Sequence, residues 1–189
     1  MEPLQIAEKL KERFPGDVVE VSQFRDQVSV HMGKDHVRDI CAFLHDDPEM
    51  DFDFLVDLCG VDYLNKNKNT PRFEVVYNLY SMDKKHSIRL RVLVPDAGNG
   101  QEPAVNSVTP IWKGADWHER ECFDLVGIRF EGHPDLRRIL LPEDWAGHPL
   151  RKDYPVQGFK GDEDWAGYSE IVKKSGELSE FGWERNGKK

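Results

Sequence analysis

The sequence predicts an α+β fold: a small mixed or antiparallel sheet, flanking helices and a long extended C-terminal tail. Three observations carry this expectation. Period-2 apolar runs recur at Phe52–Leu58, Phe73–Leu79 and Ile88–Val94; apolar stripes at helical spacing occur near both ends of residues 1–126; periodicity then stops beyond Phe130.

Leu4, Ala7, Leu10 and Phe14 predict a first helix, which Pro15-Gly16 ends. Val19 and Val21, then Val28 and Val30, alternate on either side of Arg25-Asp26 and predict a β-hairpin. Val37, Ile40, Cys41 and Leu44 make an i, i+3, i+4, i+7 stripe, so a second amphipathic helix runs from about Asp35 to His45. Three strands follow. Phe52, Phe54, Val56 and Leu58 face one side of the first; Phe73, Val75, Tyr77 and Leu79 one side of the second; Ile88, Leu90, Val92 and Val94 one side of the third. Such alternation predicts a sheet covered on one face and partly wet on the other. Ser81 to His86 is short enough for an antiparallel hairpin, and Pro95 to Pro103 reads as a loop.

Thr109-Pro110 predicts an N-cap with proline at the first helical position. That helix is expected to run to about Val126, with Ile111, Ala115, His118, Cys122 and Leu125 or Val126 on its stripe and Gly127 as its stop. A short strand, Ile128-Arg129-Phe130, comes next. The expected division is an α+β domain over 1–130 and an extended interface segment and tail over 131–189. Four prolines (Pro134, Pro142, Pro149, Pro155) break every candidate helix in the second part. Its aromatics, including Trp145, Tyr154, Trp165 and Trp183, are unlike a disordered linker and read as docking anchors or as side chains packed on the chain's own sheet.

With 26 Lys plus Arg against 35 Asp plus Glu, the 189 residues carry a formal net charge of −9. Nucleic-acid binding and a polybasic membrane anchor both need clustered positive charge, so both are disfavoured. Mean hydropathy is −0.65, and no run approaches the ~20 apolar residues of a spanning helix. The N-terminus lacks the basic flank and apolar run of a signal peptide. Cys41, Cys59 and Cys122 are too few and too scattered for a disulfide scaffold or an iron–sulfur ligand run. Residues 1–70 hold 15 acidic and 8 basic side chains, with seven acids between His45 and Asp62. That stretch reads as a solvated face and loops, or else as a patch for a basic partner.

The string His118-Glu119-Arg120-Glu121-Cys122 resembles a zinc-helix motif with cysteine as the second ligand, since i and i+4 share a face. His118 and Cys122 also fit the apolar stripe as ordinary core residues. A third ligand would have to come from His133 or His148, with no spacing to recommend either. Glu119/Asp124 and Asp144/Asp153 lack a nucleophile or pocket signal beside them. Glycine-rich phosphate loops and nucleophile elbows do not occur. Arg137-Arg138 and Arg151-Lys152 read as salt-bridging locally to Glu131, Asp135, Glu143 and Asp153. The residues alone predict a chain with no active site of its own, carrying a rigid polar knot over Glu119–Pro155.

Glu119-Arg120-Glu121-Cys122-Phe123-Asp124-Leu125-Val126, then Gly127, Phe130, Gly132-His133-Pro134 and Arg137-Arg138-Ile139-Leu140, resembles the signature of the C subunit of NADH-quinone oxidoreductase. This is the bacterial counterpart of the 30-kilodalton subunit of mitochondrial complex I. The similarity continues through Trp145 and His148-Pro149-Leu150-Arg151-Lys152-Asp153-Tyr154-Pro155, and upstream over Leu58–Tyr63 and Phe73–Ser81. The resemblance implies an α+β domain in the peripheral arm of a proton-translocating complex, holding no cofactor itself. NADH, FMN, iron–sulfur clusters and a quinone would belong to the assembly. The implied partners are the D-like quinone-site subunit and the B-like iron–sulfur subunit, at the cytoplasmic face of the bacterial inner membrane. Glu119, Arg120, Glu121, Asp124, His133, Arg137 and Arg138 would then be structural and interface residues, and the tail a strap over neighbouring subunits. Related hydrogenase- and formate-linked complexes reuse this subunit, which leaves the electron donor open. The competing classes are a free metal-dependent enzyme using His118/Cys122 and an acidic adaptor built on His45–Asp62.

Overall fold

Five strands form the principal sheet, in the order β1-β2-β5-β4-β3. They are β1 (Val18–Phe24), β2 (Gln27–Gly33), β3 (Phe54–Asp62), β4 (Phe73–Tyr80) and β5 (Ser87–Val94). All neighbours are antiparallel except β2 and β5, which makes the sheet mixed. The computed structural model describes residues 1–64, 71–96, 98, 101–156 and 173. Residues 1–153 form one compact unit and residues 154–189 another.

The strongest period-2 runs become the central strands. Phe73, Val75, Tyr77 and Leu79 of β4, and Ile88, Leu90, Val92 and Val94 of β5, are all buried. Between β1 and β2 the chain turns on Arg25 (φ 48°) and Asp26 (φ 64°), the left-handed pair that a two-residue hairpin of matching twist requires. Helix α1 (Pro3–Arg13) opens with a capping box between Glu2 and Gln5 and packs against β1 and β2. Helix α2 (Val37–Asp46) buries Val37, Ile40, Cys41 and Leu44, the expected stripe.

The structure corrects the expected faces in three places. Leu4 is exposed and Ile6 takes its place in the core, where Ile6, Ala7 and Leu10 make a narrower stripe. In β1 the register shifts between Val18 and Glu20, which turns Val19 outward. In β3 it shifts between Leu55 and Asp57, so Leu55 and Leu58 are buried while Phe54 and Val56 are exposed. A bulge adds one residue and reverses the parity of everything upstream of it. Phe52 is buried as expected but precedes the strand.

Helix α3 (Ala115–Val126) starts five residues later than Thr109-Pro110 predicts. The Thr109 hydroxyl pairs with the Ser107 hydroxyl at 2.8 Å rather than capping a helix. Ile111 and Trp112 both send their N–H groups to Val108 O, which makes turns, and Trp112 Nε1 donates to Phe52 O at 2.9 Å. The buried residues of α3 are Ala115, Glu119, Cys122, Asp124 and Val126, so the expected His118 is not among them. That helix lies close on β3 at Gly60, where a Cβ would sit 2.6 Å from Cys122 Sγ and 3.2 Å from Val126 Cγ2. Two three-residue strands, β6 (Ala104–Asn106) and β7 (Arg129–Glu131), pair in parallel as a second sheet. Strand β6 lies beyond the expected loop, and Phe130 of β7 is in the core.

Candidate functional site

The signature residues gather around the C-terminal half of α3. Asp124 is fully buried, and its Oδ2 accepts the backbone N–H groups of Ile139, Leu140 and Leu141 at 3.0, 2.7 and 2.9 Å. Arg138 Nη1 donates to Asp124 Oδ1 at 2.7 Å and to Asp124 O at 3.1 Å. Its Nη2 donates to Trp145 O and Gly147 O, each at 3.0 Å. Burial alone pushes the Asp124 carboxyl up, but the N–H groups of Leu141, Leu140 and Ile139 and the Arg138 guanidinium together hold it below its ordinary range. A segment without periodicity is thus shaped by one carboxylate and one guanidinium.

The end of α3 is closed by the same stretch of chain. Gly127 takes φ 76° and caps the helix through its N–H to Cys122 O and Phe123 O. His148 Nδ1 donates to Asp124 O at 2.9 Å, Leu150 N to Leu125 O at 2.9 Å, and Arg151 to Val126 O (2.6 Å) and Gly127 O (3.0 Å). Successive helix-terminal carbonyls therefore find donors that a bare helix end lacks. One strand away, Asp62 at the end of β3 accepts Arg72 Nε and Nη2 at 3.0 Å each, and Lys152 N at 2.9 Å. Arg72 also reaches Asp153 at 2.8 Å, and its guanidinium and that of Arg151 both lie over the Phe73 ring. Burial would raise the Asp62 carboxyl; Arg72 and the Lys152 and Leu64 N–H groups lower it overall. Residues 148–153 are clipped to the body at this point.

On the other flank, Arg120 donates to Arg137 O and Arg138 O. The turn after β7, Gly132-His133-Pro134, carries a buried His133 side chain. His133 Nδ1 accepts Asp135 N at 3.0 Å and Nε2 faces Asp116 O at 3.3 Å, so the contacts assign the proton to Nε2. Arg137 pairs with Asp135 at 2.8 Å as expected; Arg138 does not use Glu131, Asp135 or Glu143 but Asp124. Glu121 and Pro134 are exposed. Glu119 faces the opposite way, into the core, where its Oε1 accepts Val108 N at 2.7 Å.

Three large apolar side chains of the knot stay outside. Trp117 on α3 is 64% exposed, with the Arg120 guanidinium 5.6 Å from its ring, and Leu140 and Leu150 in the bound loops are 62% and 57% exposed. The structure does not bring His118 and Cys122 together as ligands. His118 is half-buried beside Asp57 of β3 at 3.5 Å, whereas Cys122 is buried under Gly60. Among the described residues, no group of three His, Cys, Asp or Glu is placed to hold a metal ion, and no helix is long and apolar enough to cross a membrane. Trp145 is half-buried and Tyr154 falls in the second unit, while Trp165 and Trp183 lie outside the described residues. Sequence reasoning did not single out Asp62, Arg72 and Arg151 as site residues. The available signal was an acid ending one strand and an arginine opening the next.

The family model described as respiratory-chain NADH dehydrogenase, 30 Kd subunit, matches residues 30–160. The chain belongs to this family. The C subunit of the NADH-quinone oxidoreductase of Geobacter sulfurreducens is 47% identical over 150 residues, 79% of this chain and 88% of that protein. The corresponding protein of Roseiflexus castenholzii is 49% identical over 148 residues, 78% of this chain and 81% of that one. That of Coxiella burnetii is 39% identical over 81% of this chain and 78% of its own length. The fold also matches a chain from the structure of the membrane-bound sulfane sulfur reductase, an archaeal respiratory membrane complex. There the TM-score is 0.64 at 18% identity, over all of this chain and 97% of that one. The stretch shared with the 30 Kd subunit family takes in the whole knot around α3 and the 148–153 clip.

Proposed function

We propose that the chain is a non-catalytic peripheral-arm subunit of a proton-translocating NADH-quinone oxidoreductase, scaffolding the D-like quinone-site and B-like iron–sulfur subunits. The observation that carries this reading is how the signature's charges are spent. Asp124, Arg138, Arg120, His148 and Arg151 are committed to backbone groups of their own chain, a use that builds shape rather than chemistry. What the knot leaves outward is Trp117 and Arg137, residue types enriched among interface anchors, with Leu140 and Leu150 as exposed apolar surface in the same knot. NADH oxidation, FMN, iron–sulfur clusters and the quinone belong to the partner subunits on this reading. The subunit would sit at the cytoplasmic face of the bacterial inner membrane, attached through those partners. A hydrogenase- or formate-linked complex would use the same surface with another electron donor.

The Trp117→Ala, Leu140→Ser double variant tests it. Neither side chain is in the core, so thermal unfolding of the isolated chain should shift little, within about 1 kcal/mol. Loss of a central aromatic anchor should weaken capture of the D-like and B-like subunits by a factor of about 30 or more, the ~2 kcal/mol of an interface hot spot. Undiminished capture by the double variant would contradict this interface.

A further inference from the structure

Glu119 is fully buried, yet nothing in the scaffold role uses it. One carboxyl oxygen accepts Val108 N at 2.7 Å. The other, Oε2, is buried with no hydrogen-bond partner among the described residues. A buried carboxylate with half its acceptor sites empty is costly; a neutral carboxylic acid there is far less so. The groups facing it come from every packed element. Asp116 and Cys122 lie on its own helix, Arg38 and Cys41 on α2, Tyr77 on β4, and Ser107 on the segment it holds. Cys41, Tyr77 and Cys122 are buried and held neutral by that burial. Asp116 repels a second negative charge. Arg38 is the one cation in the set, and its guanidinium is directed at Ser107 O (3.1 Å) and Glu131 O (3.5 Å).

We propose that Glu119 is a proton-gated latch. Protonated, it lies neutral in the core beside the Ser107–Val108 segment; on giving up its Oε2 proton to solvent it still accepts Val108 N, but it leaves an under-paired charge in the core that opening of that segment to water relieves. The location gives the latch its reach. Ser107 N donates to Glu131 O at 2.9 Å, and Val105 pairs with Phe130 across β6 and β7, immediately before the Gly132-His133 turn. Loosening 104–112 therefore acts on the strand pair that delivers the first half of the knot. Burial, helped by Asp116, pushes the Glu119 carboxyl up to about 7 against the opposing pull of Ser107, the Val108 N–H and Arg38. The latch stands whatever partners the outer surface meets.

The sign follows from proton linkage. A carboxyl raised in the folded state contributes stability that is complete below its ordinary pKa of 4.5 and is lost as pH rises toward about 7. The test compares urea unfolding of the full chain and of Glu119→Gln at several pH values from about 5 to about 8. Glutamine keeps the acceptor for Val108 N and cannot ionise. Relative to this variant, the wild-type unfolding constant should grow by up to about tenfold per pH unit across the window, at least tenfold in all. Amide exchange at 104–112, corrected for its intrinsic pH dependence, should accelerate in the wild type alone. Parallel pH profiles for the two proteins would overturn the latch. Should Glu119→Gln fail to fold, carboxyl carbon NMR of ¹³C-glutamate-labelled wild type decides: one glutamate titrating near neutrality supports the latch, and every glutamate titrating near 4.5 overturns it.

Discussion

Asp124→Ala should destabilise the chain by about 3–5 kcal/mol, the cost of removing one partner from a buried ion pair. Asp124 accepts four donors, and its loss strands three backbone N–H groups and the Arg138 guanidinium, which is only 13% exposed. Each buried donor left unsatisfied costs roughly 1–3 kcal/mol, more when charged, and refilling by water recovers part of the sum. A typical domain has about 5–15 kcal/mol in total, so the variant is left marginal. Asp124→Asn is not a rescue, because its amide nitrogen must oppose one of the donors. Arg138→Ala should cost less, about 2–3 kcal/mol, since Asp124 keeps its three N–H groups. The double variant should cost less than the two single losses combined, as residues in one network do. Urea unfolding of the four proteins measures the cycle. Additive losses, or an Asp124→Ala cost below about 1 kcal/mol, would mean that the carboxylate does not organise the 138–141 turn.

The knot also sets the acid limb of stability. Asp124 and Asp62 are both held below the ordinary carboxylate range, so each contributes stability that is present above that range and lost as pH falls through the folded-state value. Glu119 acts in the opposite sense over a higher window. The chain should therefore be most stable in mildly acid solution, with the knot failing on one side and the Ser107–Val108 tie loosening on the other.

Gly127→Ala should cost about 2–4 kcal/mol, from two sources of comparable size. Its φ of 76° costs an L-residue about 1–2 kcal/mol. A Cβ there would also sit 2.5 Å from His148 Cδ2 and against the Arg151 guanidinium, both of which must move. They carry the hydrogen bonds to Asp124 O, Val126 O and Gly127 O, so the clip over residues 148–153 loosens with the helix end. Gly127→Asn separates the two sources: asparagine tolerates the left-handed region but still brings a Cβ. It should recover only the backbone part. Complete recovery by asparagine in thermal unfolding would show that the close approach of His148 and Arg151 costs nothing.

The sheet was legible where burial follows a two-residue period, as in β5 and, past the buried Glu74, in β4. It was misread where a bulge adds one residue, because Phe54 and Val56 are apolar yet fall on the outer side once the register slips. Thr109-Pro110 carries an ordinary helix-start signal, which the Ser107 hydroxyl overrides by capturing Thr109. The knot was legible as a string of residue types but not as a geometry. Its order comes from hydrogen bonds between α3 and residues up to 25 positions further along, most of them from side chain to backbone, and such bonds leave no period to detect. Nor does sequence alone distinguish Glu119 and Asp124, which are buried, from Glu121, which is exposed on the same helix. Charged residues are expected outside unless paired, and the pairs here are remote.

Whether this chain works as a structural part of a larger respiratory assembly is tested most directly by affinity purification of the tagged full-length chain from intact membranes. The co-purifying proteins are identified and NADH:quinone activity is measured on the eluate. The scaffold role predicts recovery of the D-like and B-like subunits in stoichiometric amounts, together with that activity. A clean monomer, free of both subunits, would contradict it.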